Sequence, residues 1–206
     1  MKHLDIAALK SAKLRHDPFE YTIVPGFLNA ASLRKVISTY PDIMKGGSYP
    51  LDTVNPGPDL QSVIDEMDSP EFERVIEEKF DVRLKGQPKM YSLRGYCRGT
   101  DGKIHTDSRD KIITVLLYLN DKWNEPGGKL RMLRTGTDLE DFSEEVPPDN
   151  GTLLVFRRSD RSWHGHGSFD GVRRSIQMNW MVSEGRKGFH AFRHKLSARF
   201  KKLVSA

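Results

Sequence analysis

His105 and Asp107 stand two apart in "GKIHTDSRDKIITVLLYLNDKW", immediately ahead of an apolar run that reads as a buried strand. In extended chain, residues two apart point to the same side, so an imidazole and a carboxylate here can converge on one ion. They could equally be the polar mouth of an ordinary hairpin. Of the seven histidines, His3, His16, His190 and His194 fall in helical or terminal contexts and read as surface residues, which leaves His105, His164 and His166. Two imidazoles and one carboxylate on one face of a metal leave three coordination positions open. A non-haem Fe(II) oxygenase needs that arrangement, because cosubstrate and O₂ must both reach the iron. The stretch "SWHGHGSFDGVRRS" supplies a distal histidine and, shortly after it, the paired arginines Arg173 and Arg174.

The elements that must hold these residues change character near residue 86. Before it the chain reads mostly helical. "EYTIV" forms one strand, Asn29 caps a helix stopped by Pro41, and Ser69 caps a helix with Pro70 at its first position, where the missing N–H costs nothing. Phe72, Val75, Ile76 and Phe80 recur at helical spacing, which gives that helix a buried face. "GGSYPLDTVNPGPD" (46–59) is rich in turn formers and reads as an ordered loop. From 86 onward, "PKMYSLRGY", "KIITVLLYLN", "GKLRML", "GTLLVFRR" and "RRSIQMNWMV" are short β-rich runs separated by Gly, Pro, Asn and Asp. The expected fold is α+β and mainly β: a double-sheet roll buttressed by the N-terminal helices, with a basic C-terminal helix. Residues 1–85 are expected to pack on the core rather than fold alone, 86–183 to form the core, and 184–206 to form the final helix.

The whole chain limits the function classes. With 206 residues, 37% apolar and 30% charged, it suits one globular domain, and it has no uncharged apolar window of about 18 residues that could span a membrane. The opening residues interleave charge with small apolar side chains, unlike a signal peptide. Cys97 is the single cysteine, so a reducing compartment, by default the cytoplasm, is expected. The net charge of +5 gathers partly in "RHKLSARFKKL". Aromatics do not alternate with those basic residues as a stacking surface requires, so the excess reads as a solvated helix face, and the basicity alone does not decide for or against a nucleic-acid partner.

The motifs taken together resemble the Fe(II)/2-oxoglutarate-dependent dioxygenases, specifically the prolyl 4-hydroxylase-like branch. "YCRGTDGKIHTD" is similar to that branch's tyrosine, Gly-rich turn and HxD. "ITVLLYLNDKW" with "GGKLRML" resembles its Thr-containing strand, Tyr-Leu-Asn turn and Gly-Gly strand. "GTLLVFRRSDRSWHGH" resembles the strand leading to the distal histidine, and "GVRRSIQMNW" the arginine strand. The likeness covers roughly residues 86 to 183, and the first 85 carry no comparable motif. It implies a double-stranded β-helix (jelly roll, cupin-like) with His105, Asp107 and His164 as Fe(II) ligands. His164 is preferred over His166 because its distance to the arginines fits the family.

One arginine must pair its planar fork with the far carboxylate of 2-oxoglutarate. Strand alternation sends Arg173 and Arg174 to opposite faces. Choosing Arg173 turns Ser175, Gln177 and Asn179 inward and Ile176, Met178 and Trp180 out against the helices, and gives an Arg-x-Ser pattern common at cosubstrate sites. Arg174 is the alternative. Tyr118 matches the family's tyrosine for the same carboxylate and shares a face with Thr114, while Tyr96 is a second tyrosine candidate. Trp123, Trp163 and Trp180 read as packing residues, and Arg98 as a surface residue.

The resemblance implies O₂-dependent decarboxylation of 2-oxoglutarate to succinate and CO₂, coupled to hydroxylation of a C–H bond in a small-molecule or peptide substrate, with ascorbate as a further expected reductant. Related halogenating enzymes carry a small residue where Asp107 stands, so the carboxylate points to hydroxylation. Two other readings are a nucleic-acid demethylase and a non-catalytic binding module on the same barrel. The first lacks its further arginine in "SIQMNWMV", and the second would not need all three ligands and the arginine.

Overall fold

Side-chain caps fix the helical front of the chain. The computed structural model describes residues 2–182; the helix expected over 184–206 lies outside them. Asp5 caps α1 (Ile6–Ser11), Asn29 caps α2 (Ala30–Ser38) by accepting from Ser32 N, and Ser69 caps α4 (Pro70–Phe80) by accepting from Phe72 N. α4 buries Phe72, Val75, Ile76 and Phe80, the stripe read from its spacing. The segment read as a loop over 46–59 holds more structure than its turn formers suggest. It contains the two-residue strand β2 (Tyr49–Pro50), a 3₁₀ turn (Leu51–Thr53) and the first residues of α3 (Gly57–Met67). Leu60, Val63, Ile64 and Met67 bury one face of α3, and Pro58 is accommodated in its first turn. Among the described residues, no helix is long and apolar enough to cross a membrane.

The remaining strands are β1 (Tyr21–Val24), β3 (Lys89–Cys97), β4 (Lys111–Tyr118), β5 (Leu130–Leu133), β6 (Phe142–Val146), β7 (Leu153–Arg157), β8 (His164–His166) and β9 (Gly171–Met181). They form a six-stranded sheet in the order β1-β7-β4-β9-β3-β2 and a three-stranded sheet in the order β6-β5-β8, with every paired strand antiparallel. β6 was not expected: "FSEEV" has too little apolar alternation to announce a strand, and it lies at the edge of the small sheet.

The large sheet separates two apolar clusters. On its outer face Leu93, Ile113, Val115, Leu117, Ile176, Met178 and Trp180 pack with Phe72, Ile76, Leu60 and Val63 of the helices, and the Trp180 and Phe72 rings stack at 6.3 Å. Each such buried side chain contributes roughly 1.5–3 kcal/mol. The front helices and the strands therefore share one core. Between the two sheets lies the second cluster, in which Tyr21, Leu154, Phe156 and Tyr118 meet Leu130, Met132 and Val146. These faces make the expected mainly β roll with helices along one side.

Gly95 marks one close approach of the front segment to the roll. A Cβ at Gly95 would lie 2.5 Å from both the Cβ and the backbone oxygen of Ile43. Gly95→Ala should therefore destabilise the protein by about 1–3 kcal/mol through overpacking, read as a Tm lowered by several degrees in a thermal melt. An unchanged melt would mean the 41–46 segment yields without cost.

Candidate active site

Two short segments bring the polar residues together at one end of the roll. His105 and His164 pair as an isolated antiparallel bridge, each backbone N–H donating to the other's carbonyl at 3.0 Å. Their rings face each other with centroids 4.3 Å apart. Each ring's Nδ1 lies within hydrogen-bonding distance of a backbone carbonyl two residues earlier, His105 with Lys103 at 2.8 Å and His164 with Ser162 at 2.9 Å. An Nδ1–H so anchored leaves the Nε2 lone pair as the free donor, the arrangement that orients metal-binding histidines. Ligating atoms of His105, Asp107 and His164 all lie within 4.8 Å of one another.

Asp107 is buried, and its carboxylate is held at both oxygens. Lys111 Nζ donates to Oδ1 at 2.7 Å and Thr114 Oγ1 to Oδ2 at 2.5 Å, while Arg158 Nε donates to the Asp107 carbonyl at 3.2 Å. Burial alone would raise its pKa. The Lys111 ammonium, the facing His164 and the two hydrogen bonds outweigh burial and hold the carboxyl at about 2. His164 is pushed the other way, down to about 4, chiefly by burial, with Asp107 opposing. At neutral pH the pair is thus an ionised carboxylate beside a neutral imidazole, the protonation states a metal requires. Two imidazoles and one carboxylate on one side suit Fe(II) with open positions opposite.

A second polar group lines the interior of the large sheet. Tyr118 of β4, Ser175 of β9 and Arg94 of β3 occupy one row across three adjacent strands, by the pairings Tyr118↔Ser175 and Arg94↔Ser175. Arg173, two residues before Ser175, is buried; its guanidinium carbon lies 5.3 Å from the centre of the Tyr118 ring and its Nε donates to the Gly128 carbonyl at 2.7 Å. The Tyr118 and Ser175 hydroxyls are fully buried and lack a hydrogen-bond partner of good geometry. Burial raises the Tyr118 pKa, and the Arg173 and Arg94 charges oppose it. Arg174 points elsewhere: its guanidinium stacks over the Tyr40 ring at 5.8 Å. Ile176, Met178 and Trp180 accompany it on the helix side, while Ser175 and Asn179 are buried on the other.

The other candidate residues divide in the same way. Thr114 joins Asp107 and lies 3.0 Å from Asn179 Oδ1, not beside the arginines. The Tyr96 hydroxyl donates to Asp170 at 2.5 Å at the rim, because the β3–β9 register shifts between Arg94 and Tyr96. His166, buried beside the arginines, has Nδ1 2.8 Å from the Gly167 carbonyl and Nε2 3.9 Å from Cys97 Sγ. Its ring fits only because Gly102, at φ +82°, has no Cβ; one would fall 2.4 Å from the imidazole. Arg98 bonds Asp101 at the surface, and Trp123 packs on Phe169.

Sequence reasoning missed Arg94 and Lys111. Arg94 had a signal: in "YSLRGY" it alternates with Leu93 and Gly95, so it faces away from the helices that cover Leu93. Lys111, at the polar end of an apolar strand, had none, since its partner is reached through a turn.

Residues 91–182 match the 2OG-Fe(II) oxygenase superfamily model. The match spans the roll from β3 to β9, and this region is similar to the iron- and 2-oxoglutarate-dependent oxygenases. That likeness, with the His105, Asp107 and His164 group, implies Fe(II), 2-oxoglutarate and O₂ as reagents. Among solved structures it is similar to the prolyl 4-hydroxylases of Phytophthora capsici, with a TM-score of 0.61 and 16% identity, over 89% of this chain and 68% of that one. A Pseudomonas putida prolyl-4-hydroxylase matches with a TM-score of 0.57 and 18% identity, over 86% of this chain and 97% of that one. The non-heme alpha ketoglutarate dependent epimerase SnoN, from nogalamycin biosynthesis, matches with a TM-score of 0.51 and 17% identity, over 87% and 84%. At these identities the likeness establishes the double-stranded β-helix fold. No curated protein sequence matches the chain.

Proposed function

We propose that this dioxygenase hydroxylates a C–H bond, with His105, Asp107 and His164 as the iron ligands and Arg173 with Tyr118 as the anchor for the far carboxylate of 2-oxoglutarate. The observation that carries this reading is the convergence of two backbone-anchored imidazoles on one ionised carboxylate. Bound iron, with 2-oxoglutarate and O₂, supplies the oxidising power, and the chain supplies geometry. Lys111 and Thr114 fix the orientation of the Asp107 carboxylate. The Arg173 fork, steadied by Gly128, fits a carboxylate, and the Tyr118 hydroxyl beside it can donate to the same group. Phe156, with its ring 4.9 Å from that of His164, and Leu116, Leu154 and Met132 make the surrounding wall apolar, which limits water at the site.

The substrate is a small molecule or a peptide, with a prolyl peptide the first to try because prolyl 4-hydroxylases stand among the structural neighbours. Ascorbate is the reductant this reading adds, and a reducing cytoplasm the compartment. The test is succinate formation from 2-oxoglutarate in air. Formation that needs added Fe(II) and is lost in His164→Ala supports the reading, whereas equal succinate from His164→Ala contradicts it.

A further inference from the structure

We propose that Arg94 is a second guanidinium contact for the far carboxylate of 2-oxoglutarate, so that Arg94 and Arg173 close on that group from neighbouring strands. This rests on the cosubstrate site proposed above and adds to it a residue that sets cosubstrate specificity. The row Tyr118–Ser175–Arg94 places three inward side chains next to one another, and Arg173 stands beside the same tyrosine.

Among the described residues, neither Arg94 nor Arg173 has a carboxylate within ion-pairing distance. The nearby acids are committed elsewhere: Asp101 accepts three hydrogen bonds from Arg98, and Asp170 accepts from Tyr96 and from Gly99 N. Burial and Arg173 lower the pKa of Arg94, with the charge of Asp101 opposing them. Two guanidiniums on adjacent strands that feel each other's charge repel, and an anion between them offsets that cost. The buried Tyr118 and Ser175 hydroxyls, which make no hydrogen bond of good geometry, add donors to the same row. A single carboxylate, with two oxygens and about four lone-pair positions, can accept from both arginines and the tyrosine.

The experiment compares two keto acids that differ only at the far end. 2-Oxoglutarate carries the second carboxylate; 2-oxopentanoate has a methyl group there. Binding of each is measured by calorimetry, without O₂, to the Fe(II)-loaded protein, its Arg94→Met variant and its Arg94→Lys variant. Arg94→Met should bind 2-oxoglutarate roughly 10- to 150-fold more weakly, the equivalent of losing one charge-assisted contact. Its affinity for 2-oxopentanoate should stay within about threefold of the parent, and Arg94→Lys should fall between parent and Met.

If Arg94→Met keeps the parent's preference for the dicarboxylate, or loses both keto acids equally, the assignment is overturned; the second pattern means a purely structural role. Should the parent protein itself bind neither keto acid, the cosubstrate site proposed above fails and this inference with it. Arg94→Lys preserves charge and length, so a poorly folded Met variant leaves the comparison decidable.

Discussion

Asp107→Ala should abolish Fe(II)-dependent turnover of 2-oxoglutarate and should also destabilise the metal-free protein. The two effects have separate causes. Turnover fails because the proposed set His105, Asp107 and His164 loses its only carboxylate. Stability falls because the Lys111 ammonium, as buried as its partner, is left without a counter-charge. Removing one partner of a buried ion pair typically costs about 3–5 kcal/mol, while replacing both by apolar groups is often neutral. The double variant Asp107→Ala/Lys111→Met should therefore recover most of the lost stability in a urea titration and none of the activity. Recovery of turnover in the double variant would remove Asp107 from the ligand set. A single variant as stable as the parent would show that Lys111 reaches solvent when freed.

Arg173→Met has the next largest expected effect. Loss of a buried, carboxylate-binding guanidinium is worth about 2–5 kcal/mol, roughly 30- to several-thousandfold in the concentration of 2-oxoglutarate needed for half-maximal rate. The turnover number at saturating cosubstrate should change much less, because the end of the molecule assigned to Arg173 does not react. Arg174→Met is the control. Its guanidinium lies over Tyr40 on the helix side, so its KM for 2-oxoglutarate should stay near that of the parent. A reversed pattern, with Arg174→Met impaired and Arg173→Met normal, would mean that β9 presents its other face to the cosubstrate.

The sequence carried the fold class well because the period of its apolar residues changes once, from helical to alternating, near residue 86. Strand alternation in "RRSIQMNW" already separates an inward Ser175 and Asn179 from an outward Met178 and Trp180, and the sheet has that division. The HxD spacing works for the same reason: two residues in extended chain share a side. Register between strands was not legible. Arg94 belongs with Tyr118 only because β9 lies between their strands and aligns Ser175 with both, and the shift between Arg94 and Tyr96 turns the tyrosine hydroxyl to Asp170. The Lys111–Asp107 pair depends on the path of residues 108–110, which no periodicity describes. β6 and the start of α3 escaped because their residues are polar or turn-forming, and packing overrides those local preferences.

The central claim is that His105, Asp107 and His164 hold iron to which 2-oxoglutarate binds. Its most direct test is an anaerobic titration of the protein with Fe(II) and then 2-oxoglutarate, followed by visible absorption. A metal-to-ligand charge-transfer band should appear only when both are present and should be absent from Asp107→Ala/Lys111→Met. Folded parent protein that gives no band, or a band that survives in the double variant, would contradict the account.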